Sequence, residues 1–243
     1  MPPEVSPQVS VVVPVYNEEG AGGPLAEEIA AAFAGVAHEI VFVDDASRDA
    51  TRERLLALRS RLPSLRVLGH RKNAGQSRAV RTGVLAARAP IVVTLDGDGQ
   101  NDPADAPRLV ARLQTGPESL GLVGGERTKR RDTAAKRWAS RTANGVRKRL
   151  LNDQADDTGC GIKAFRREAF LRLPYFDHMH RYLPALMIRE GYEVAFEPVG
   201  HRPRTTGASK YTNLGRLWAS LSDLLGVMWL RTRFRDAGGA DEL

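Results

Sequence analysis

The sequence is poor in features that would assign it quickly. One cysteine, Cys160, stands among 243 residues, which excludes a disulfide framework and any CxxC metal or redox pair. With no nucleophile pattern around it, it reads as core or pocket wall. There is no GK[ST] phosphate loop and no HExxH zinc motif, and Gly97-Asp98-Gly99 lacks the third glycine of a dinucleotide fingerprint. His178 and His180 stand two apart with no third ligand in pattern, and read as a surface loop. Aromatic residues make up 6%, and no Phe or Tyr is interleaved among the bases of the most cationic stretch. That argues against a nucleic-acid-binding module, which stacks bases on aromatic rings. No apolar run approaches the roughly 20 residues needed to span a bilayer. Met1–Ser10 has no basic start followed by an apolar run, so the expectation is a cytoplasmic protein without a secretory leader.

What is present is ordinary in total and uneven in distribution. Hydrophobic residues are 42% and charged residues 27%, values of a globular domain. The net charge of +7 hides an asymmetry. Between Arg127 and Arg149 lie ten basic residues against Asp132 alone, and between Arg202 and Arg235 seven more against Asp223 alone. These stretches carry +15 and leave the remainder at −8. An acidic body with a basic second half points to a polyanionic partner: nucleic acid, anionic lipid or a phosphorylated substrate.

Unbroken apolar runs at Val9–Val15, Ile40–Val43 and Ile91–Leu95, with a weaker one at Leu65–Leu68, suit strands buried on both faces. Helical patterns separate them at Pro24–Phe33, Thr51–Leu62 and Ser77–Ala87, and a further helix runs from Pro103 to Leu113, opened by a proline. The alternation predicts βαβ units and a doubly wound, mostly parallel sheet. Ligands of such sheets bind beyond the carboxyl ends of the strands. Further along, the pattern predicts strands at Leu122–Gly125, Gly161–Arg166 and Val194–Val199, a long basic helix over Asp132–Leu151 and a helix at Leu183–Arg189. Leu214, Leu217, Trp218, Leu221, Leu225, Met228 and Trp229 recur at threes and fours and predict an amphipathic helix.

Acidic residues follow the strands: Glu18 and Glu19, then Asp44 and Asp45, then Asp96, Asp98, Asp102 and Asp105. A single carboxylate there is often a helix N-cap. Adjacent or alternate carboxylates repel, and call for a cation or donors between them. Asp96-x-Asp98 with Gln100 offers only oxygen, the set for Mg²⁺ or Mn²⁺ held jointly with phosphates. On spacing alone, both readings stand.

Four segments taken in order resemble family 2 glycosyltransferases of the GT-A fold: Val11-Val12-Val13-Pro14-Val15-Tyr16-Asn17-Glu18, Val43-Asp44-Asp45-Ala46-Ser47, Asn73-Ala74-Gly75, and Leu95-Asp96-Gly97-Asp98-Gly99-Gln100. Two more, Asp157 to Phe165 and Arg202 to Tyr211, resemble the dolichyl- and polyprenyl-phosphate glycosyltransferases, the dolichyl-phosphate mannosyltransferases among them. The resemblance implies inverting transfer of a sugar from a UDP- or GDP-linked donor to a polyprenyl phosphate. Pro14, Tyr16, Glu18, Asp45 and Asp96 would bind the nucleotide, and Asp96, Asp98 and Gln100 a Mg²⁺ or Mn²⁺ ion. Arg127, Arg204 and Lys210 would neutralise phosphate charge at the reaction centre. Arg127, Arg137, Ser140, Arg202 and Ser209 would meet the acceptor phosphate. A lipid phosphate is already an anion and needs no base, while a saccharide acceptor, the same-fold alternative, would need one. Asp156 or Asp157 is the nearest candidate.

The catalytic domain is expected over 1–211, and an interfacial helix and tail over 212–243. Many relatives carry two membrane-spanning helices after the Ser-Lys-Tyr motif; in this chain the residue pattern that follows it predicts none. Its tail would instead lie on the cytoplasmic face of an anionic membrane, with or without a separate small membrane protein as anchor.

Overall fold

The computed structural model describes residues 6–127, 147–155, 157, 159–203 and 213–235, with the side chains of 213–220 excepted. Four parallel strands come first: β1 (Val9–Val15), β2 (His38–Asp44), β3 (Leu65–Gly69) and β4 (Ile91–Thr94). Helices α1 (Gly22–Ala32), α2 (Thr51–Leu58) and α3 (Gln76–Ala86) connect them. After β4, a short 3₁₀ turn at Pro103–Asp105 leads into α4 (Ala106–Thr115). Next come β5 (Leu120–Arg127), β6 (Lys163–Arg166) and β7 (Glu193–Val199). All seven strands form one sheet in the order β3-β2-β1-β4-β6-β5-β7, with β6 antiparallel to both neighbours and every other pairing parallel.

The apolar runs are unbroken because both faces of the sheet are covered. Along β1, Val9, Val11, Val13 and Val15 enter one core with Leu25, Ile29 and Leu55, while Val12 enters the other with Val80 and Val84. The same alternation divides Ile40 and Phe42 from Val41 and Val43 on β2. So α1 and α2 lie on one face and α3 on the other. The chain winds outward from β1 to β3, then crosses back to β4 on β1's other side. That reversal between β1 and β4 is the switch point where such sheets open a crevice at the strand ends. The opposite end is closed by Glu39, which accepts from Ser10 Oγ (2.6 Å), the Arg88 backbone N–H (2.6 Å) and Arg66. Burial alone would raise its pKa, but these bonds outweigh it and hold the carboxyl below its ordinary value.

Several elements differ from expectation. Helix α2 stops at Leu58 rather than Leu62. β5 is longer than its apolar run and ends on Arg127, because its edge pairs with β7 through Arg127↔Val199. A short helix at Arg167–Leu171 is not among the expected elements. His178 and His180 are not a plain surface loop: a 3₁₀ turn at Met179–Arg181 packs this stretch onto the domain. Of the basic helix expected over Asp132–Leu151, only 147–151 falls among the described residues, and it is helical.

The C-terminal helix, Asn213–Arg233, forms as expected, but not with one apolar side turned wholly outward. Val227 is fully buried in the second core, with Leu224, Met228 and Leu230 packed around it. Asp223 Oδ2 meets His178 Nδ1 at 2.9 Å, Arg189 Nε donates to the Leu230 carbonyl at 3.0 Å, and Arg231 bonds the Leu151 carbonyl. Met228, expected on the free stripe, therefore faces inward. Leu221, Leu225 and Trp229, spaced four apart, remain 49%, 59% and 58% exposed. Among the described residues no helix is long and apolar enough to cross a membrane.

Candidate active site

The loops after β1 and β2 are knitted together before they bind anything. Asn17 N–H donates to Ser47 Oγ (2.9 Å), Asn17 Oδ1 accepts from Arg48 N–H (2.8 Å), and Glu18 N–H donates to Thr51 Oγ1 (2.8 Å). Asn17 and Ala46 adopt left-handed backbone, with φ of 53° and 62°, strain that reciprocal bonding sustains. These bonds set Tyr16 and Glu18 at the mouth of the crevice, half-buried, just beyond the buried Pro14.

Asp44 and Asp45 have separate partners. Asp44, fully buried, accepts from Ser47 N–H (3.1 Å) and Arg52 Nε (2.6 Å). Asp45 faces the other way: its Oδ1 meets His70 Nδ1 (2.6 Å) and Ala74 N–H (2.9 Å), and its Oδ2 accepts from Gly75 N–H (2.8 Å). His70 Nε2 in turn lies 2.9 Å from Thr82 Oγ1. Donors, not a cation, resolve this adjacent pair. Gly75 sits at φ 87°, a conformation that favours glycine, and its turn delivers the start of α3 to the site.

Asp96 and Asp98 share one turn at the end of β4. Asp98 Oδ1 accepts from Gln100 N–H (3.1 Å), and Asp96 N–H donates to the buried Asn101 Oδ1 (3.1 Å). The turn lies against β1: a Cβ on Gly97 would come within 2.7 Å of the Pro14 carbonyl oxygen. Asp96 Oδ1 accepts from Nε2 of Gln76 (2.8 Å), the first residue of α3. Burial first, and then repulsion by Asp98, push the Asp96 carboxyl above its ordinary range, with Lys163 and Arg127 pulling it back. Two crowded carboxylates in an all-oxygen turn fit a hard divalent cation, which would relieve that repulsion. Among the described residues no group of three His, Cys, Asp or Glu side chains forms a closed metal cage. A cation here would take its other ligands from substrate or water.

The basic side is more committed than expected. Arg127 Nε and Nη2 form a two-pronged pair with Asp157 Oδ2 and Oδ1, at 2.6 and 2.8 Å. Asp157 is thereby bound to a guanidinium, which removes it as the candidate base. Arg202, expected at the acceptor phosphate, bridges Glu28 (2.6 Å) and Asp102 (2.8 Å). Its backbone N–H donates to the Gln100 carbonyl at 2.9 Å. That bond ties the start of the Arg202 segment to the Asp98 turn, so Arg202 works as a strap between α1 and the crevice rather than as an uncommitted cation. Arg137, Ser140, Arg204, Ser209, Lys210 and Asp156 lie outside the described residues.

Four residues near this centre escape the sequence reading: Gln76, His70, Lys163 and, as a partner of α3, His180. Lys163 is buried, and its Nζ donates to the Cys160 carbonyl. His180 Nδ1 lies 2.7 Å from Ser77 Oγ on the first turn of α3. Burial, and then the charge of Lys163, push its pKa down to about 3, so the ring is neutral near neutral pH. A lysine opening an apolar strand was the visible signal for Lys163. Nothing local marked the role of His180, whose partner is 103 positions away.

Comparison with known proteins bears on this geometry. Residues 10–173 match the family model described as glycosyl transferase family 2. The chain is 35% identical over 234 residues to the dodecaprenyl-phosphate galacturonate synthase of Rhizobium johnstonii, covering 93% of this chain and 68% of that protein. It is 37% identical over 224 residues to the undecaprenyl-phosphate 4-deoxy-4-formamido-L-arabinose transferase of Pseudomonas paraeruginosa, covering 90% and 65%. The chain thus spans about two thirds of the length of these curated relatives. In fold it is similar to glucosyl-3-phosphoglycerate synthase of Mycobacterium tuberculosis, solved with Mn²⁺, uridine diphosphate and glucosyl-3-phosphoglycerate. That match has a TM-score of 0.69 at 22% identity, over 96% of this chain and 82% of that one.

Proposed function

The chain belongs to glycosyl transferase family 2, and from that premise we propose that it transfers a sugar from a nucleoside-diphosphate donor to a polyprenyl phosphate, with inversion at the anomeric carbon. The observation that carries this reading is identity of 35% and 37% across at least 90% of the chain to two enzymes named for polyprenyl-phosphate products. The chemistry of the crevice supports it. Asp44, Asp45 and Asp157 are each held by arginine, imidazole or backbone donors, an arrangement that suits an acceptor already ionised.

The donor's nucleoside belongs beside Pro14, Tyr16, Glu18 and Asp45. Asp45 Oδ2 accepts one bond from Gly75, and a carboxylate oxygen has capacity for a second donor. Asp96 and Asp98, with Gln100 in the same turn, would hold Mg²⁺ or Mn²⁺. When bound, the cation would supply positive charge against the departing diphosphate. Arg127, oriented by its pair with Asp157, is proposed to face the acceptor phosphate, and Arg204 and Lys210 to close over the phosphates. The lipid phosphate oxygen then attacks in line, and positioning with charge neutralisation replaces a general base.

The membrane reading follows from where the acceptor lives. Leu221, Leu225 and Trp229 form the outward stripe, and Arg233 and Arg235 beyond them are exposed. This suits peripheral attachment to the anionic cytoplasmic face, alone or with a small membrane protein. The test is a screen of UDP- and GDP-linked sugars against undecaprenyl and dolichyl phosphates in detergent, with product lipid identified by mass. A sugar–phosphate–lipid product is expected. Transfer only to saccharide hydroxyls would overturn the acceptor assignment.

A further inference from the structure

Lys163 is the first residue of β6 and is 6% exposed, a costly place for an ammonium without nearby negative charge. Its Cα stands in register with Thr94 across the antiparallel β4–β6 pair, so the two side chains share one face of the sheet. Two residues on from Thr94 comes Asp96; two residues back from Lys163 comes Gly161. A Cβ on Gly161 would overlap the Asp96 carboxylate, so the chain segment that leads into Lys163 runs directly against that group. Thr94 Oγ1 closes the corner by donating to the Gly161 carbonyl at 3.1 Å. Lys163 and Asp96 are therefore diagonal neighbours, a relation that long side chains span at roughly 7–8 Å.

The ammonium does not seat on the carboxylate. Nζ is held by the Cys160 carbonyl, beside the acidic turn, leaving Asp96 Oδ1 to Gln76. Burial draws the Lys163 pKa below its ordinary value, and Asp96 is among the groups that oppose that drop, as Lys163 opposes the rise at Asp96. The proximity itself rests on the strand register and the Gly161 approach. We propose that Lys163 is a resident counter-ion of Asp96 in the acidic turn. It is a positioning residue that steadies the Asp96 carboxylate before a divalent cation arrives and weakens the turn's grip on a bare cation, so that firm binding also requires the donor diphosphate. This rests on the reading of Asp96 and Asp98 as cation ligands.

The experiment is calorimetric titration of the full chain with Mn²⁺ alone, and with Mn²⁺ plus uridine diphosphate, alongside thermal melts in EDTA and in Mn²⁺. Lys163→Gln keeps a donor for the Cys160 carbonyl and removes the charge. It should melt lower than wild type in EDTA, yet bind Mn²⁺ alone roughly tenfold more tightly, since a positive neighbour has been removed. Mn²⁺ should therefore raise its melting temperature more than it raises that of wild type. Lys163→Arg should stay near wild type in Mn²⁺ affinity. A merely structural lysine would make stability and Mn²⁺ binding fall together, and that result overturns the proposal. So does Lys163→Arg tightening binding as much as Lys163→Gln. If Lys163→Gln does not fold, Lys163→Met is measured in its place, and failure of both to fold even in saturating Mn²⁺ with uridine diphosphate also overturns it. Wild type that binds no Mn²⁺ with or without uridine diphosphate removes the cation reading itself and this inference with it.

Discussion

The Cα of Gly161 lies so close to the Asp96 carboxylate that a Cβ there would occupy the space of both carboxyl oxygens. Glycine is required at 161 for close approach, because the carboxylate must lie flat against the backbone that leads into β6. Gly161→Ala should push Asp96 off its bond to Gln76 and lower turnover by about a hundredfold, the usual consequence of a shift near 1 Å. Stability should fall by only about 1–3 kcal/mol. Steady-state kinetics and a denaturant melt check the pair. Near-normal turnover would show that Asp96 can work from a second position.

Asp98→Asn removes one charge from the acidic turn but keeps the oxygen that accepts from Gln100 N–H. The protein should fold normally and keep most of its nucleoside affinity, while turnover falls by at least about a hundredfold and EDTA abolishes the activity of wild type. Activity indifferent to both would sink the cation assignment.

The Arg127–Asp157 pair joins the end of β5 to the segment before β6, with its side chains 19% and 7% exposed. Asp157→Asn leaves a largely buried guanidinium without its partner charge, which should cost about 2–4 kcal/mol. Arg127→Met should cost a similar amount, and the double variant less than the sum of the two. Urea midpoints across this cycle report the coupling. Strict additivity would mean that the two residues act independently.

His180 makes stability depend on pH. Its pKa falls from 6.5 in the unfolded chain to about 3 in the folded one, so between these values the unfolded state binds the extra proton. Stability from this group is therefore complete above about pH 6.5 and is lost as pH falls toward 3, with a slope of at most about 1.4 kcal/mol per pH unit. His180→Gln should be less stable than wild type at pH 7.5 but lose less on going to pH 4.5. Parallel losses in the two proteins would remove His180 as a contributor.

The two faces of the C-terminal helix should respond differently. Leu225→Ser with Trp229→Ser should leave the melting temperature nearly unchanged and reduce sedimentation with anionic liposomes several-fold. Val227→Asp, at a fully buried position, should destabilise by about 3 kcal/mol or more. Undiminished liposome binding by the folded double serine variant would place the membrane contact elsewhere.

The layered α/β architecture is legible in the residue pattern, since β-branched runs such as Val9–Val15 are buried on both faces only in a covered, mostly parallel sheet. So is the placing of the carboxylates at strand ends, where the sheet order opens its crevice. What those side chains face is not. Asp44 and Asp45 are adjacent in sequence yet turn to Arg52 and to His70, because consecutive side chains leave a strand on opposite sides. Arg202 is legible as a cation, but its commitment to Glu28, 174 positions earlier, is not. The antiparallel β6 sets Gly161 and Lys163 beside Asp96, and the docking of the last helix turns Val227 inward and leaves Leu225 in solvent. Periodicity tells which residues share a face. What that face meets depends on the packed chain, because the partners come from segments far apart in sequence.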